Sequence, residues 1–245
     1  DFIKIHAILG GKNPHPQSFL VGGMAIPVDP NEQASLNVGT LERIRGLIRE
    51  AQALVSKVYI PDVLAVAPFY ADWAGLGASA GHYMAYGEYP ETADPKAARV
   101  LPGGIIRGGD LAKIEAPDFG KINEYVTHSW YSYQGGDATG LHPSQGETAP
   151  NYTGPKPPYQ FLDVEGKYSW LKAPRYDGLP MEVGPLARML VAYGSGQAKV
   201  KGLVDHVLGA LGVGPAALHS TLGRIAARAI ETQVIVDKME DWVDE

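Results

Sequence analysis

The 245 residues carry 21 basic and 27 acidic side chains, a net charge of −6, 45% hydrophobic residues and no cysteine. That apolar content is ample for a large core, and the mild acidity without a basic stripe argues against a nucleic-acid partner. Without cysteine the chain has no disulfide, thiolate metal site or thiol nucleophile of its own, and 30 glycines with 19 prolines in no repeat predict many turns and long ordered loops.

The run Phe2 to Leu9, FIKIHAIL, reads as the middle of a buried element, with His6 a satisfied core histidine. The sequence starts at Asp1 with no initiator Met and stops inside a helical pattern, so the expectation is a single domain, 1–245, that is an internal segment of a larger chain. Next comes GGKNPHPQ, Gly10 to Gln17. Proline fixes its own φ and pushes the residue before it towards extended backbone, so His15, between Pro14 and Pro16, is restricted from both sides. These eight residues read either as a structural turn or as a functional loop.

From Thr40 to Val58, Leu41, Ile44, Leu47, Ile48, Ala51, Leu54, Val55 and Val58 are read as one helical stripe, with Asn37 or Thr40 as cap and Pro61 marking the end while permitting a new helix. The longest apolar stretch, Val63 to Ala71, is too short to span a bilayer, so no transmembrane span is expected. Between Gly75 and Tyr168 the helical period is lost. Runs such as RVLPGGIIRGGD (99–110) and YQFLDVEGKYSWL (159–171) predict β-hairpins joined by Gly/Pro-rich loops that wrap a helical core. Helices return at Pro185, with a C-cap at Gly194, and at Gln197 to Leu211 after a GSGQAK turn. A last helix from Pro215 to Glu245 would be roughly 46 Å long at ~1.5 Å per residue. The predicted fold is mainly α with irregular β-hairpins (α+β), a long-helix bundle wrapped by loops.

Lys172, Arg175, Asp177, Glu182 and Arg188 crowd around tight turns. They read as an internal salt-bridged network under the helix at Pro185, or as support for an active-site wall or a subunit interface. His128 and Trp130 alternate like strand residues that pack, and His142 reads as a loop organiser, while His82, His206 and His219 receive no role. No His-x-x-x-His pair suggests an independent zinc site, and GGIIRGG lacks the Gly-Lys-Ser/Thr of a phosphate loop.

A series of motifs carries further. IHAILGGKNPHPQSFLVGG (5–23), YIPDVLAVAPFY (59–70), YGEYP (86–90), LPGGII (101–106), HSWY (128–131), GLHP (140–143), YSWLKAPRYDGLPMEVGPLAR (168–188) and GRIAARAIET (223–232) together resemble the large subunit of [NiFe] hydrogenases, in the same order and over almost the whole chain. The resemblance implies reversible H2 oxidation by an enzyme whose nickel–iron centre is held by two cysteine pairs near the ends of the full subunit. Both pairs are missing here, so the metal ligands are expected outside this sequence, with no catalytic or metal-binding residue within it and no activity for this segment alone. It implies a small-subunit partner carrying iron–sulfur clusters, along with the remaining segments of the large subunit. Carried across, His15 lies at the interface beside the proximal cluster, where an aimed N–H donor and nearby charge tune an anionic cluster, with Lys12 and Asn13 in the same KNPH motif. KNPHPQ resembles the membrane-associated uptake enzymes, which implies the periplasmic face of the membrane. The alternative is a nickel-free structural or quinone-reductase subunit of the complex I type sharing the fold.

Overall fold

Helix α6, Thr221–Asp244, is the spine against which most of the other helical segments pack. In the computed structural model, which describes residues 2–94, 96–145, 148–154 and 165–245, it is preceded by α1 (Lys4–Gly10), α2 (Val38–Leu54), α3 (Ile60–Val66), α4 (Pro185–Gly194) and α5 (Ala198–Leu211). The strands pair antiparallel in four two-stranded sheets: β1 (Phe19–Leu20) with β2 (Gly23–Met24), β3 (Tyr83–Pro90) with β4 (Arg99–Ile106), β5 (Ile122–Tyr125) with β8 (Ala173–Tyr176), and β6 (Tyr131–Tyr133) with β7 (Thr148–Pro150). The chain is mixed helix and strand, with helices at both ends and strands between them.

The largest core cluster joins α4 (Leu186, Leu190, Val191), α5 (Val200, Val204) and α6 (Ala227, Ile230) to the β3–β4 hairpin. Tyr83, Leu101 and Ile106 of that hairpin are fully buried. Each large apolar side chain sealed this way contributes about 1.5–3 kcal/mol. The hairpin therefore forms part of the core, where the sequence reading had it wrapping the outside. A second cluster sets Ile5 of α1 and Ile44, Leu47 and Ile48 of α2 against Met239 and Val243 near the end of α6. A third seals Val55 and Ile60 onto Ala229 and Val236.

Two helix boundaries differ from the sequence reading. The last helix is not continuous from Pro215: a short 3-10 turn, Pro215–Leu218, precedes it, and Ser220 caps α6 by accepting from the Gly223 N–H at 3.0 Å. A Cβ on Gly223 would lie 1.9 Å from the Leu218 carbonyl oxygen, so the chain turns back on itself there with no room for a side chain. The first long helix does the reverse and runs on. Asn37 caps it through Thr40 N–H at 2.9 Å, and a π turn, Val55–Tyr59, carries it past Pro61 into α3 and a 3-10 segment ending at Gly75. Proline offers no N–H, but in the first turn of a helical segment none is needed.

The resulting run, Val38–Gly75, is 38 residues long and apolar enough to cross a membrane by length and composition. The sequence argument from the short Val63–Ala71 stretch therefore does not hold for the folded run. Its first half carries Arg45, bonded to Glu42 and to Asp244 of α6, and Arg49, paired with Glu240. Leu54 and Val58, which the sequence places on the buried stripe, are exposed, and so are Val66, Phe69, Tyr70 and Trp73 further along the second half.

Among the described residues, the 99–110 run forms β4. The first six residues of the second predicted hairpin run, 159–171, lie outside the described residues. The rest of it makes an isolated bridge, Ser129 to Ser169, and Lys167 donates to the carbonyls of Val126, Ser129 and Tyr131 at 2.6 to 2.8 Å while pairing with Asp137. Trp130 is buried against Tyr152 and Trp170, as the packing reading expects, and His142 organises its own loop by accepting from the Ser144 N–H.

Candidate functional site

The loop after α1 is closed at its base and open at its tip. Gly11 takes φ +75° as the helix cap, its N–H bonding Ala7 O at 3.0 Å, and the Gln17 N–H returns to Gly10 O at 2.9 Å. A Cβ on Gly10 would lie 2.4 Å from Pro16 Cβ, so the two ends of the loop touch only because residue 10 is glycine. Between them Lys12, Asn13 and His15 are all exposed. His15 is not extended, as its place before proline predicts. Its φ is +59°, a left-handed conformation that L residues adopt at a cost of about 1–2 kcal/mol. Loop closure over the Gly10–Pro16 contact supplies the physical reason, because an extended residue at position 15 would carry the chain away from its base. His6 is also exposed, not buried in a core, and its ring N–H donates to Asn13 Oδ1 at 2.9 Å, tying the tip to the helix.

The charged residues around the turn at 172–188 do not form one network. They go to separate partners, two of them on α6 and the others elsewhere. Lys172 bonds Glu124 and Thr148, and Asp177 pairs with Arg107. Arg175 sits on β8 opposite Asn123. Glu182 accepts from Nε and Nη2 of Arg224 on α6, at 2.7 and 2.8 Å, and Arg188 of α4 forms a two-pronged pair with Glu231 of α6. Arg224 also donates to Gly77 O, so one guanidinium holds both the 76–83 loop and the Glu182 segment on the helix.

The electrostatics follow this arrangement. Burial raises the Glu182 carboxyl, but hydrogen bonds from Arg224 and Ser79 outweigh it and leave its pKa below the ordinary value. Hydrogen bonding to Glu231 raises Arg188, and burial raises the Tyr83 phenol. Tyr83 Oη lies 2.7 Å from His219 Nδ1, and burial lowers the His219 pKa against the smaller opposing pull of Glu182. His82, given no role in the sequence, accepts from the Gly108 N–H at 3.1 Å.

Arg224, Glu231 and His219 were not picked out from the sequence. A signal was present for two of them: Arg224 and Glu231 are seven residues apart in GRIAARAIET, two turns along one helix face, each across from an opposite charge in the 168–188 motif. For His219 the sequence holds no comparable signal, because its partner Tyr83 lies far away in the chain.

The donor set of these residues does not fit a thiolate-bound nickel–iron centre. The chain has no cysteine, and among the described residues no group of three His, Asp or Glu side chains converges where a metal ion would be held. What the arrangement offers is a rigid, outward-facing loop with one imidazole and one ammonium, and a charged ladder fixing the β3 region to α6.

Comparison with known proteins agrees with the motif series. The chain is similar to the uptake hydrogenase large subunit of Rhizobium leguminosarum bv. viciae, 43% identical over 95% of this chain and 41% of that protein, and to the hydrogenase-1 large chain of Escherichia coli (strain K12), 36% identical over 100% and 43%. Among solved structures, the reduced, active Ni-Fe-Se hydrogenase of Desulfomicrobium baculatum superposes with a TM-score of 0.73 at 32% identity, covering 97% of this chain and 45% of that one. The chain thus spans about two fifths of the length of the curated relatives it matches. The family described as nickel-dependent hydrogenase matches across residues 1–245. From its first residue to its last, this chain belongs to the nickel-dependent hydrogenase family.

Proposed function

We propose that residues 1–245 serve as one segment of the large, catalytic subunit of a [NiFe] hydrogenase that oxidises H2 and passes the electrons to iron–sulfur clusters in a small subunit. The nickel–iron centre would be held by cysteines of the large subunit outside these residues, and the segment alone would turn over no H2. Its part would be structural and electronic: bundle core, subunit interface and the loop that faces the partner's nearest cluster. In this reading the segment belongs to a single domain of the larger subunit. In the same reading the assembled enzyme would sit at the periplasmic face of the membrane, reached through the partner complex, as the KNPHPQ motif resemblance implies.

The observation that carries the reading is the exposed Gly10–Gln17 loop. In a chain of net charge −6, residues 2–28 contain Lys4, His6, Lys12 and His15 and no acidic side chain. A thiolate-ligated cluster is anionic, and an N–H donor held at its edge raises its potential. His15 is fixed by backbone geometry, with Asn13 anchored to His6, so the imidazole is presented without a partner segment of its own. Glu182 and Arg188 would act behind the interface by locking α4 and the β3 edge to α6. Arg175, on β8, would support the same wall.

The test is His15→Leu in the complete heterodimer. The cluster nearest the large subunit should shift in midpoint potential in a redox titration followed by electron paramagnetic resonance, and H2-dependent dye reduction should slow. Unchanged potential together with unchanged turnover would remove the electronic role and leave His15 as a turn residue.

A further inference from the structure

Tyr59 to Ala74 forms one wall of a groove of about 630 Å³, and the end of α5 with the first turns of α6 forms the other. Small residues line both walls, Ala67, Ala71 and Ala74 facing Ala217, Gly223 and Ala226. Small side chains let another backbone come close, which suits a packed helix better than an irregular loop. Val66, Trp73 and Ile225 leave the groove 40 to 52% exposed at these positions, an apolar surface of the kind that marks an interaction site. Ile225 falls in the apolar spacing of the last helix with Ala229 and Val236. Ala229 and Val236 are sealed, while Ile225 is open. Asp62 is the one charged side chain among the described residues lining the groove.

What covers this surface is indicated by proportion. The Desulfomicrobium baculatum structure contains this fold as 45% of its chain, so more than half of that polypeptide is built around the same scaffold. The back of the same helical run is already closed by this chain's own α6, Val55 and Ile60 packing on Ala229 and Val236. We infer that the groove seats an apolar helix of the same large subunit, drawn from outside residues 1–245 and carrying a hydrogen-bond donor or a cation opposite Asp62. This rests on the family assignment and adds the site at which the two parts of the subunit join.

The experiment uses the full-length large subunit, alone and in its heterodimer, with Ala71→Cys on one wall and Ile225→Cys on the other as separate variants. Each is reacted with a fluorescent maleimide, and the modified peptide is identified by mass spectrometry, which separates the new thiol from any others. In the native large subunit alone, both positions should react about a hundredfold more slowly than in urea, the protection expected of a packed site. Labelling as fast in the native subunit as in urea overturns the inference. So does protection that appears only when the small subunit is added, which would give the groove to the partner, or only with liposomes, which would give it to the membrane. H2-dependent dye reduction by the heterodimer tests the hydrogenase reading separately. Protection without activity would keep the groove and remove the enzyme.

Discussion

Two antiparallel hairpins of similar apolar content end in opposite states. In β3–β4, Tyr83, Leu101 and Ile106 are fully buried in one core with residues of α4, α5 and α6, α4 lying across the hairpin, and Ile105 is sealed on the other face against Ile122 and Tyr176. In β1–β2, Phe19, Leu20 and Val21 stand in solvent at the tip, directly after the exposed Lys12–His15 loop. Among the described residues there is a helical layer for the first hairpin and none for the second. Apolar residues alone therefore do not make a core. The covering layer does, and the uncovered hairpin shares its surface with the cationic loop assigned above to a partner. The comparison predicts that substitutions in the covered region act on stability, and that those in the uncovered region act on electron transfer.

The largest expected effect is in the covered region. Arg188→Met in the large subunit leaves Glu231, only 6% exposed, without its two-pronged partner. Breaking such a pair from one side costs about 3–5 kcal/mol, read as a lower urea midpoint with an unchanged slope. A loss below about 1 kcal/mol would mean that the pair is solvated and that the ladder does not hold α4 to α6. Somewhat smaller is Gly223→Ala. The new methyl meets the Leu218 carbonyl, and forcing the turn open costs about 2–3 kcal/mol. The same measurement checks it, and a neutral result would show that the break before α6 is not constrained.

These two positions also show why part of the molecule was legible in sequence and part was not. The helices at 185, 198 and 221 follow from apolar spacing and local caps, signals contained within a few residues. The break at His219–Ser220 is not legible because apolar period continues through it, and the close approach of the Leu218 carbonyl that glycine permits at position 223 is a contact of the folded backbone. The run past Pro61 was missed for the converse reason: a π turn absorbs a residue that ordinarily ends a helix. The loop at Gly10–Gln17 was visible as stiff, but its direction was not, because the Gly10–Pro16 contact is tertiary and overrides the extended preference before proline. The 168–188 charges were seen together in sequence, yet their partners lie on β5 and α6 and beside the β4 end, so spacing along the chain gave the residues and not the pairs.

A third prediction sharpens the covered side through pH. His219 is held below its ordinary pKa of 6.5 by burial beside Tyr83. Above 6.5 the histidine is neutral in both states, and its contribution is fully present. As pH falls below 6.5 the unfolded chain takes up a proton that the folded chain resists, so stability declines until the lower folded value is passed. The slope of stability against pH in that window should flatten in His219→Gln, with about 1 kcal/mol at stake for each pKa unit of difference. An identical slope in the variant would place the acid-sensitive group elsewhere.

The smallest expected change in stability is at His15, and it is the one that tests the comparison most directly. The residue sits at φ +59°, which costs an L side chain about 1–2 kcal/mol and costs glycine almost nothing. Glycine in turn loses more freedom on folding, by about 0.5–1 kcal/mol. The first term is the larger, so His15→Gly should leave the large subunit as stable to urea as before or more stable by up to about 1 kcal/mol. If the histidine is there for the turn, this variant is an adequate replacement and the assembled enzyme should titrate and turn over as before. If it is there for the partner's cluster, the fold survives while the cluster potential shifts and dye reduction slows, a separation that no substitution in the β3–β4 hairpin should show. A His15→Gly enzyme that loses stability and activity together would break the contrast between the two hairpins, because the exposed loop would then be supporting the fold it was assigned to extend.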